Sequence, residues 1–274
     1  MSPRPPCGVG GWFGGGTVPN SINYLWRLVG TGFSFATFFG GGLLLAVTIF
    51  PLIALAVRDQ VRRVRATQAV IHHAFRFFVR MLEVLGIIRV EVKGGEGLRN
   101  GAGRLIIANH PTLLDVVILM SLIPHAQCIV KAELWRNRYL GGVMRWAGYI
   151  RNDLEPEALL DACRSAMAAG KDLIIFPEGT RSRPGEELQF RRGFANIALL
   201  AEAQIQLVTI DCRPIMLSKG DPWWKIPAKR SHFRILVGDR LDAADTLGYQ
   251  YRSLAARHLV RRLQTYFTEQ LELG

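Results

Sequence analysis

Charge is missing from one long stretch of this 274-residue chain: no Asp, Glu, Lys or Arg occurs from Leu28 to Val57, thirty residues. A bilayer core takes about 20 apolar helical residues, so this run is long enough to cross. It is too long for a cleavable secretory signal, and no small-x-small cleavage site follows it. Acidic residues are also scarce, 22 against 34 basic ones, a formal net charge of +12. That balance favours anionic partners. No helix-turn-helix, RNA-recognition or zinc-finger pattern is present, so no nucleic-acid partner is expected and lipid headgroups or phosphorylated substrates come first. A membrane-tethered nucleic-acid-binding protein stays as the remote rival. Cysteine is sparse as well. Cys7, Cys128, Cys163 and Cys212 lie scattered, without metal or redox spacing, and this excludes an expected disulfide or zinc site and fits a reduced compartment. No internal repeat is visible.

What is present divides the chain in three. Residues 1–20 are rich in glycine and proline and are expected to be a disordered tail. Residues 21–88 are expected to be membrane-embedded and juxtamembrane helices. Gly40-Gly41-Gly42 and Pro51 interrupt the apolar run, so a kinked span and a shallow re-entrant hairpin both stand. Arg58, Arg62, Arg63 and Arg65 follow the run, whereas only Arg4 and Arg27 precede it. That asymmetry places the remainder of the chain in the cytoplasm, on the inner membrane. Between Arg58 and Ile88, Phe75, Phe77, Phe78, Met81, Leu82 and Leu85 interleave with Arg76 and Arg80. This pattern suits a helix at the membrane surface or a core helix with a solvated basic face.

Residues 89–274 alternate strand and helix signals. Strands are expected at 89–93, 105–108, 127–130, 173–176, 205–212 and 233–237. Helices are expected at 112–122, at 156–169 with Gly170 as its stop, at 194–203 and at 247–271. The fold class is therefore α/β, with a central, mostly buried sheet flanked by helices, preceded by the membrane-embedded helical segment.

Two clusters carry the chemistry. Asn109-His110-Pro111-Thr112-Leu113-Leu114-Asp115 follows the apolar strand Leu105–Ala108. A histidine at a strand mouth can serve as a general base near neutral pH, and a carboxylate five residues on can fix its tautomer. Thr112-x-x-Asp115 is equally a capping-box pattern, so a helix-capping role stands beside the catalytic one. The second cluster is Phe176-Pro177-Glu178-Gly179-Thr180-Arg181-Ser182. Its glycine allows close backbone approach and its arginine can grip phosphate in a fork; a structural turn is the alternative. No Gly-x-Ser-x-Gly elbow occurs, which argues against a covalent acyl-serine route.

Asn-His-x-x-x-x-Asp followed by Phe-Pro-Glu-Gly-Thr-Arg-Ser resembles the glycerolipid acyltransferases, in particular bacterial 1-acyl-glycerol-3-phosphate acyltransferases. Lys131-Ala132-Glu133-Leu134 resembles the Lys-x-Glu-Leu stretch between those motifs, and Gly148-Tyr149-Ile150-Arg151 loosely fits the family's second motif. The likeness runs from about Leu105 to Pro214. It implies His110 as base with Asp115 as its orienting partner. It also implies acceptor phosphate binding by Arg181, then by Glu178, Gly179 and Thr180, with Lys131 and Arg151 as weaker additions; for Lys131 a solvated surface role competes. Val208-Thr209-Ile210 departs from the family's fourth motif, which places a proline between the apolar residues, and donor preference is left open. The implied activity moves a fatty acyl group from acyl-CoA or acyl-carrier protein to a lysophospholipid, with lysophosphatidic acid the default acceptor; another lysolipid or a specialised lipid is the alternative. No cofactor and no metal are expected. His72, His73, His125, His232 and His258 lack a chemical neighbour in sequence and are read as structural or solvated. Trp135, Tyr139 and Trp146 among Arg136, Arg138 and Arg145, with Trp223, Trp224 and Lys225, form either an interfacial patch or ordinary packing.

Overall fold

The computed structural model describes residues 21–99, 103–138, 140–183, 185–246 and 251–273. The glycine- and proline-rich tail, Tyr139 and the start of the expected last helix lie outside these residues.

Three helices lead the chain. α1 (Ser21–Val47) and α2 (Ile49–Ala56) follow one another almost without interruption, and together they make one helical segment long and apolar enough to cross a membrane. The break falls at Thr48, three residues before Pro51, whose ring nitrogen cannot donate to the Val47 carbonyl. Gly40–Gly42 lies inside α1 and does not turn the chain. The reversal comes instead at residues 57–59, where the Asp59 side chain accepts from Arg62 N at 3.0 Å and opens α3 (Gln60–Val84). Arg63 reaches back to the Val57 and Arg58 carbonyls left free at the end of α2. α3 then runs back along α1: Phe38 packs on Phe75 and Phe78, and Trp26 Nε1 donates to the Leu85 carbonyl. α3 has one face in the core and an outer face that mixes arginines with the exposed Val61, Phe77 and Val84. Ile71, Phe78, Val79 and Leu82 are buried, while Arg62, Arg65, Arg76 and Arg80 are exposed.

Seven strands form one sheet: β1 (Ile88–Lys93), β2 (Leu105–Ala108), β3 (Gln127–Val130), β4 (Ile150–Arg151), β5 (Leu173–Ile175), β6 (Gln204–Arg213) and β7 (Ser231–Asp242), in the order β1-β7-β6-β2-β5-β3-β4. Every pairing is parallel except β6 with β7. The helices of this part are α4 (Glu96–Arg99), α5 (Asp115–Leu122), α6 (Ala132–Arg136), α7 (Gly141–Trp146), α8 (Pro156–Ala168), α9 (Gly193–Leu200) and α10 (Arg252–Glu272).

β2 and β5 lie at the middle, and β2 is buried at all four positions. Alternation splits its side chains between two cores. Ile106 and Ala108 join the side built from α3 and α5, and Leu105 and Ile107 join the side built from α8, α9 and α10. A parallel strand covered on both faces reads as an unbroken apolar run, which is why Leu-Ile-Ile-Ala shows no polar alternation. The short elements α4, α6, α7 and β4 carry too little periodicity to be read from sequence. Trp135 and Trp146 pack against the core, so that part of the expected aromatic patch is ordinary packing.

Candidate active site

β2 ends at Ala108, and Asn109 fastens the next turn to the neighbouring strand. Its amide donates to the Ile210 carbonyl at 2.8 Å and accepts from Ile210 N at 2.7 Å. This extends the β2–β6 ladder by one side chain, so His110 leaves the sheet from a fixed point.

His110 Nδ1 lies 2.8 Å from Asp115 Oδ2. An ionised carboxylate only accepts, so Nδ1 carries the proton and Nε2 is the free basic atom. The His110 side chain is 15% exposed and that of Asp115 0%. The expected helix start at Thr112 is displaced to Asp115, and the reason is local. Asp115 Oδ2 also accepts from Thr112 N at 2.7 Å, Oδ1 accepts from the Thr112 hydroxyl at 2.6 Å, and that hydroxyl accepts from Leu114 N. The backbone from 112 to 114 is thus a side-chain-closed turn. Asp115 ties down the turn before α5 and holds the imidazole, while Leu114 rather than Thr112 stands at the helix N-cap. Burial raises the Asp115 carboxyl above its ordinary value, against the opposing hydrogen bonds from His110 and Thr112.

The second cluster leaves β5, the strand paired with β2. Phe176 stacks on the His110 ring, centroids 4.2 Å apart. Glu178 is buried and turns both its oxygens to the protein. Oε1 accepts from His110 N at 2.9 Å and Oε2 from the Ser182 hydroxyl. Ser182 N in turn donates to the His110 carbonyl at 2.8 Å. The loop from 178 to 182 therefore grips the His110 backbone on both its polar atoms. Burial raises its carboxyl too, opposed by the bonds from Ser182 and His110 N.

Gly179 adopts φ +69°, and a Cβ there would lie 3.1 Å from Nε of Arg191. The glycine is needed both for the left-handed backbone and for the arginine that lies over it. Arg181 donates through one terminal nitrogen to the carbonyls of Leu217 and Ser218, at 2.8 and 3.0 Å. This aims its guanidinium while leaving the remaining N–H groups for a ligand. Thr180 is half-buried in the same loop.

Lys131 and Arg151 lie on the β3–β4 side of the sheet. Lys131 is exposed at the end of β3 and begins α6. β5 lies between it and β2, about 10 Å at normal strand spacing. Arg151, on β4 at the sheet edge, forms a two-pronged pair with Asp153 at 2.7 and 2.8 Å, so its fork is already occupied. The sequence motifs contain Asn109, Phe176 and Ser182 without a role for each, and Arg191 lies outside them. The Arg191-Arg192-Gly193 triplet before α9 was the only visible sign of the last. Among the described residues, no three His, Cys, Asp or Glu side chains gather to hold a metal ion.

The pair and the stacked phenylalanine leave His110 Nε2 unengaged by Asp115, and the Arg181 loop is bonded to the same histidine's backbone. Residues 89–213, which contain both motifs, match the family model described as Acyltransferase, and the resemblance drawn from those motifs holds. The chain is 37% identical over 123 residues to the 1-acyl-sn-glycerol-3-phosphate acyltransferase of Helicobacter pylori, covering 42% of this chain and 52% of that protein. It is 28% identical over 186 residues to the alpha form from Ovis aries, covering 65% and 60%. The chain thus spans only about half the length of such curated relatives. Its fold is that of the crystal structure of the 1-acyl-sn-glycerophosphate (LPA) acyltransferase PlsC from Thermotoga maritima, with TM-score 0.62 at 19% identity, covering 90% of this chain and 97% of that one.

Proposed function

We propose that the protein is a membrane-embedded O-acyltransferase that moves a fatty acyl group from an acyl-CoA or acyl-carrier-protein thioester to a lysophospholipid hydroxyl. Its acceptor is 1-acyl-glycerol-3-phosphate and its product phosphatidic acid. The observation that carries this reading is the His110–Asp115 pair at 2.8 Å, with the Arg181 loop bonded to the same histidine's backbone.

In this reading His110 Nε2 takes the proton from the acceptor hydroxyl as its oxygen attacks the thioester carbonyl. The tetrahedral intermediate collapses, the C–S bond breaks, and the imidazolium returns the proton to the departing thiolate. Asp115 holds the ring in the productive tautomer and balances its transient charge. Arg181 and Arg191 bind the acceptor phosphate, which fixes the hydroxyl against Nε2.

Residues 21–88 anchor the chain and residues 89–274 form the acyltransferase domain. α1 supports this through an inverted pattern. The face it buries against the body holds Arg27, Gly30, Thr31 and Ser34; Arg27 donates to the Pro227 and Ala228 carbonyls, and Thr31 and Ser34 donate to the Arg27 and Gly30 carbonyls of α1 itself. Its exposed face holds Ile22, Leu25, Trp26, Val29, Phe33 and Leu44. A water-soluble helix does the opposite. Trp223 and Trp224, both exposed and beside α1, extend that apolar surface. The catalytic domain faces the cytoplasm, where thioester donors are made. His110→Ala tests the chemistry: turnover falls at least ~10²-fold with folding intact. Retained activity, or an isolable acyl-enzyme adduct, defeats the mechanism.

A further inference from the structure

The loop between β6 and β7, residues 214–230, is fastened at one end to both catalytic motifs and at the other to α1. At the first end, Leu217 offers one carbonyl to two donors. Arg181 reaches it at 2.8 Å, and Leu113 N, inside the His110 motif, at 3.3 Å. The Ser218 carbonyl accepts from the same Arg181 nitrogen at 3.0 Å. Met216, Leu217 and Ser218 are buried. Leu217 is held at φ +50°, a backbone state that non-glycine residues seldom adopt. Such a state persists only where the surroundings over-determine it.

At the second end the partner is Arg27, which is 5% exposed. It donates to the Pro227 carbonyl at 3.1 Å and to the Ala228 carbonyl at 2.5 Å. A buried charge on a helix of bilayer length is costly and marks a function by default. Trp223 lies against the same helix. Its ring centroid is 6.0 Å from that of Phe35, and a Cβ on Gly32 would come within 3.3 Å of the indole. The stretch between the two ends is stiffened by its own bonds. Asp221 N donates to the Ser218 carbonyl at 3.2 Å, Lys225 Nζ meets Asp221 Oδ1 at 2.7 Å, and Ile226 N donates to the Trp224 carbonyl at 3.0 Å. Ile226 is buried.

We propose that this loop is a brace through which α1 sets the direction of Arg181, with Arg27 a further positioning residue for acceptor binding. A guanidinium is planar and its donors are fixed relative to one another. Two carbonyls that take one of its nitrogens therefore also aim the face left for phosphate. Leu113 N shares the Leu217 carbonyl, so the phosphate grip and the His110 turn are held by the same atom. An Arg27 that merely fastened α1 to the body would have its effect stop at Pro227 and Ala228. The role in acceptor binding rests on the reading of Arg181 as a phosphate ligand; the brace itself does not.

The test uses the full-length protein in detergent micelles with a thioester donor and lysophosphatidic acid. Arg27→Met keeps the apolar stem and loses both donors. It raises acceptor KM about fivefold, the scale of one net hydrogen bond, and leaves kcat nearly unchanged. Arg27→Lys, which still donates, recovers most of the loss. Trp223→Ala, at an exposed position, moves KM the same way and does not depend on replacing a buried charge. In an Arg181→Ala background Arg27→Met adds nothing further, because residues that act through one another are not additive. Hydrogen exchange reads the brace without turnover. In Arg27→Met the Leu113 amide and residues 218–226 exchange severalfold faster, whereas the β2 and β5 amides keep their protection. The proposal is overturned if faster exchange stops at residues 227–230, if acceptor KM is unchanged in Arg27→Met while Arg181→Ala raises it, or if the two effects add in full. An unchanged KM in Arg181→Ala would instead remove the phosphate reading, and the exchange result would still decide the brace.

Discussion

Replacing Asp115 by asparagine should separate its two roles, because the structure assigns them to one carboxylate. Asp115 accepts three hydrogen bonds at full burial, from His110 Nδ1, Thr112 N and the Thr112 hydroxyl. Asparagine can keep all three contacts, its oxygen facing the ring and Thr112 N while its amide donates to the threonine oxygen. The charge alone is lost. Burial holds the carboxyl pKa above its unfolded value, so the stabilising contribution of the protonated form is fully present below the unfolded pKa, near 3.9, and is lost as pH rises through the folded pKa. At pH 7 the buried charge is therefore a liability, and asparagine should leave stability unchanged or raise it. Alanine instead strands the donors of Thr112 and His110, at a loss of about 2–4 kcal/mol, roughly 4–16 °C in melting midpoint at the usual conversion for a chain of this size. Activity should fall at least ~10²-fold in both variants, since neither balances the imidazolium. Thermal melts in detergent, paired with a thioester-consumption assay, read both quantities. Asparagine at near-wild-type turnover would show that Asp115 serves the turn alone, and an asparagine variant as unstable as the alanine one would refute the account of its burial.

Other outcomes follow from the same geometry. Glu178→Ala frees the His110 backbone and the Ser182 hydroxyl from their shared partner, so turnover should drop about tenfold or more with little change in acceptor KM; Glu178→Gln, which can accept from His110 N and donate to Ser182, should restore most of it, and a mainly KM effect would return Glu178 to the substrate. Arg181→Ala and Arg191→Ala should each raise KM for a phosphate-bearing acceptor more than they lower turnover at saturation, and an unchanged KM in Arg191→Ala would restrict phosphate binding to Arg181. Full-length protein should stay with membranes through a high-salt wash, held by exposed apolar surface on α1 and α2 rather than by charge; salt extraction would overturn the anchoring.

How much was legible in advance differs from element to element. β2 was plain as Leu-Ile-Ile-Ala because a doubly covered strand admits no polar residue. Gly170 marked the end of α8 because its φ of +75° suits glycine. The tie between His110 and Asp115 was readable for a similar reason, since a five-residue reach is set by local backbone. Arg151 drew attention by its motif but is occupied by Asp153, two residues away, and a competing partner that close could have been weighed. The hairpin reversal was sought at the glycines and proline, yet both sit within helix, and the turn formed where Asp59 could cap α3.

The sequence by itself determined the chemistry on offer: one histidine at a strand mouth, a carboxylate at the right distance, an arginine loop after another strand, and an uncharged run fit for lipid. Those properties are local, encoded in spacings of a few residues or in a composition that needs no partner to act. Only the tertiary structure decided that Glu178 braces His110 across 68 residues and that Asn109 locks to Ile210 across 101. Parallel strands bring together residues whose separation along the chain is set by crossover length. No periodicity within either segment records which other segment it will face.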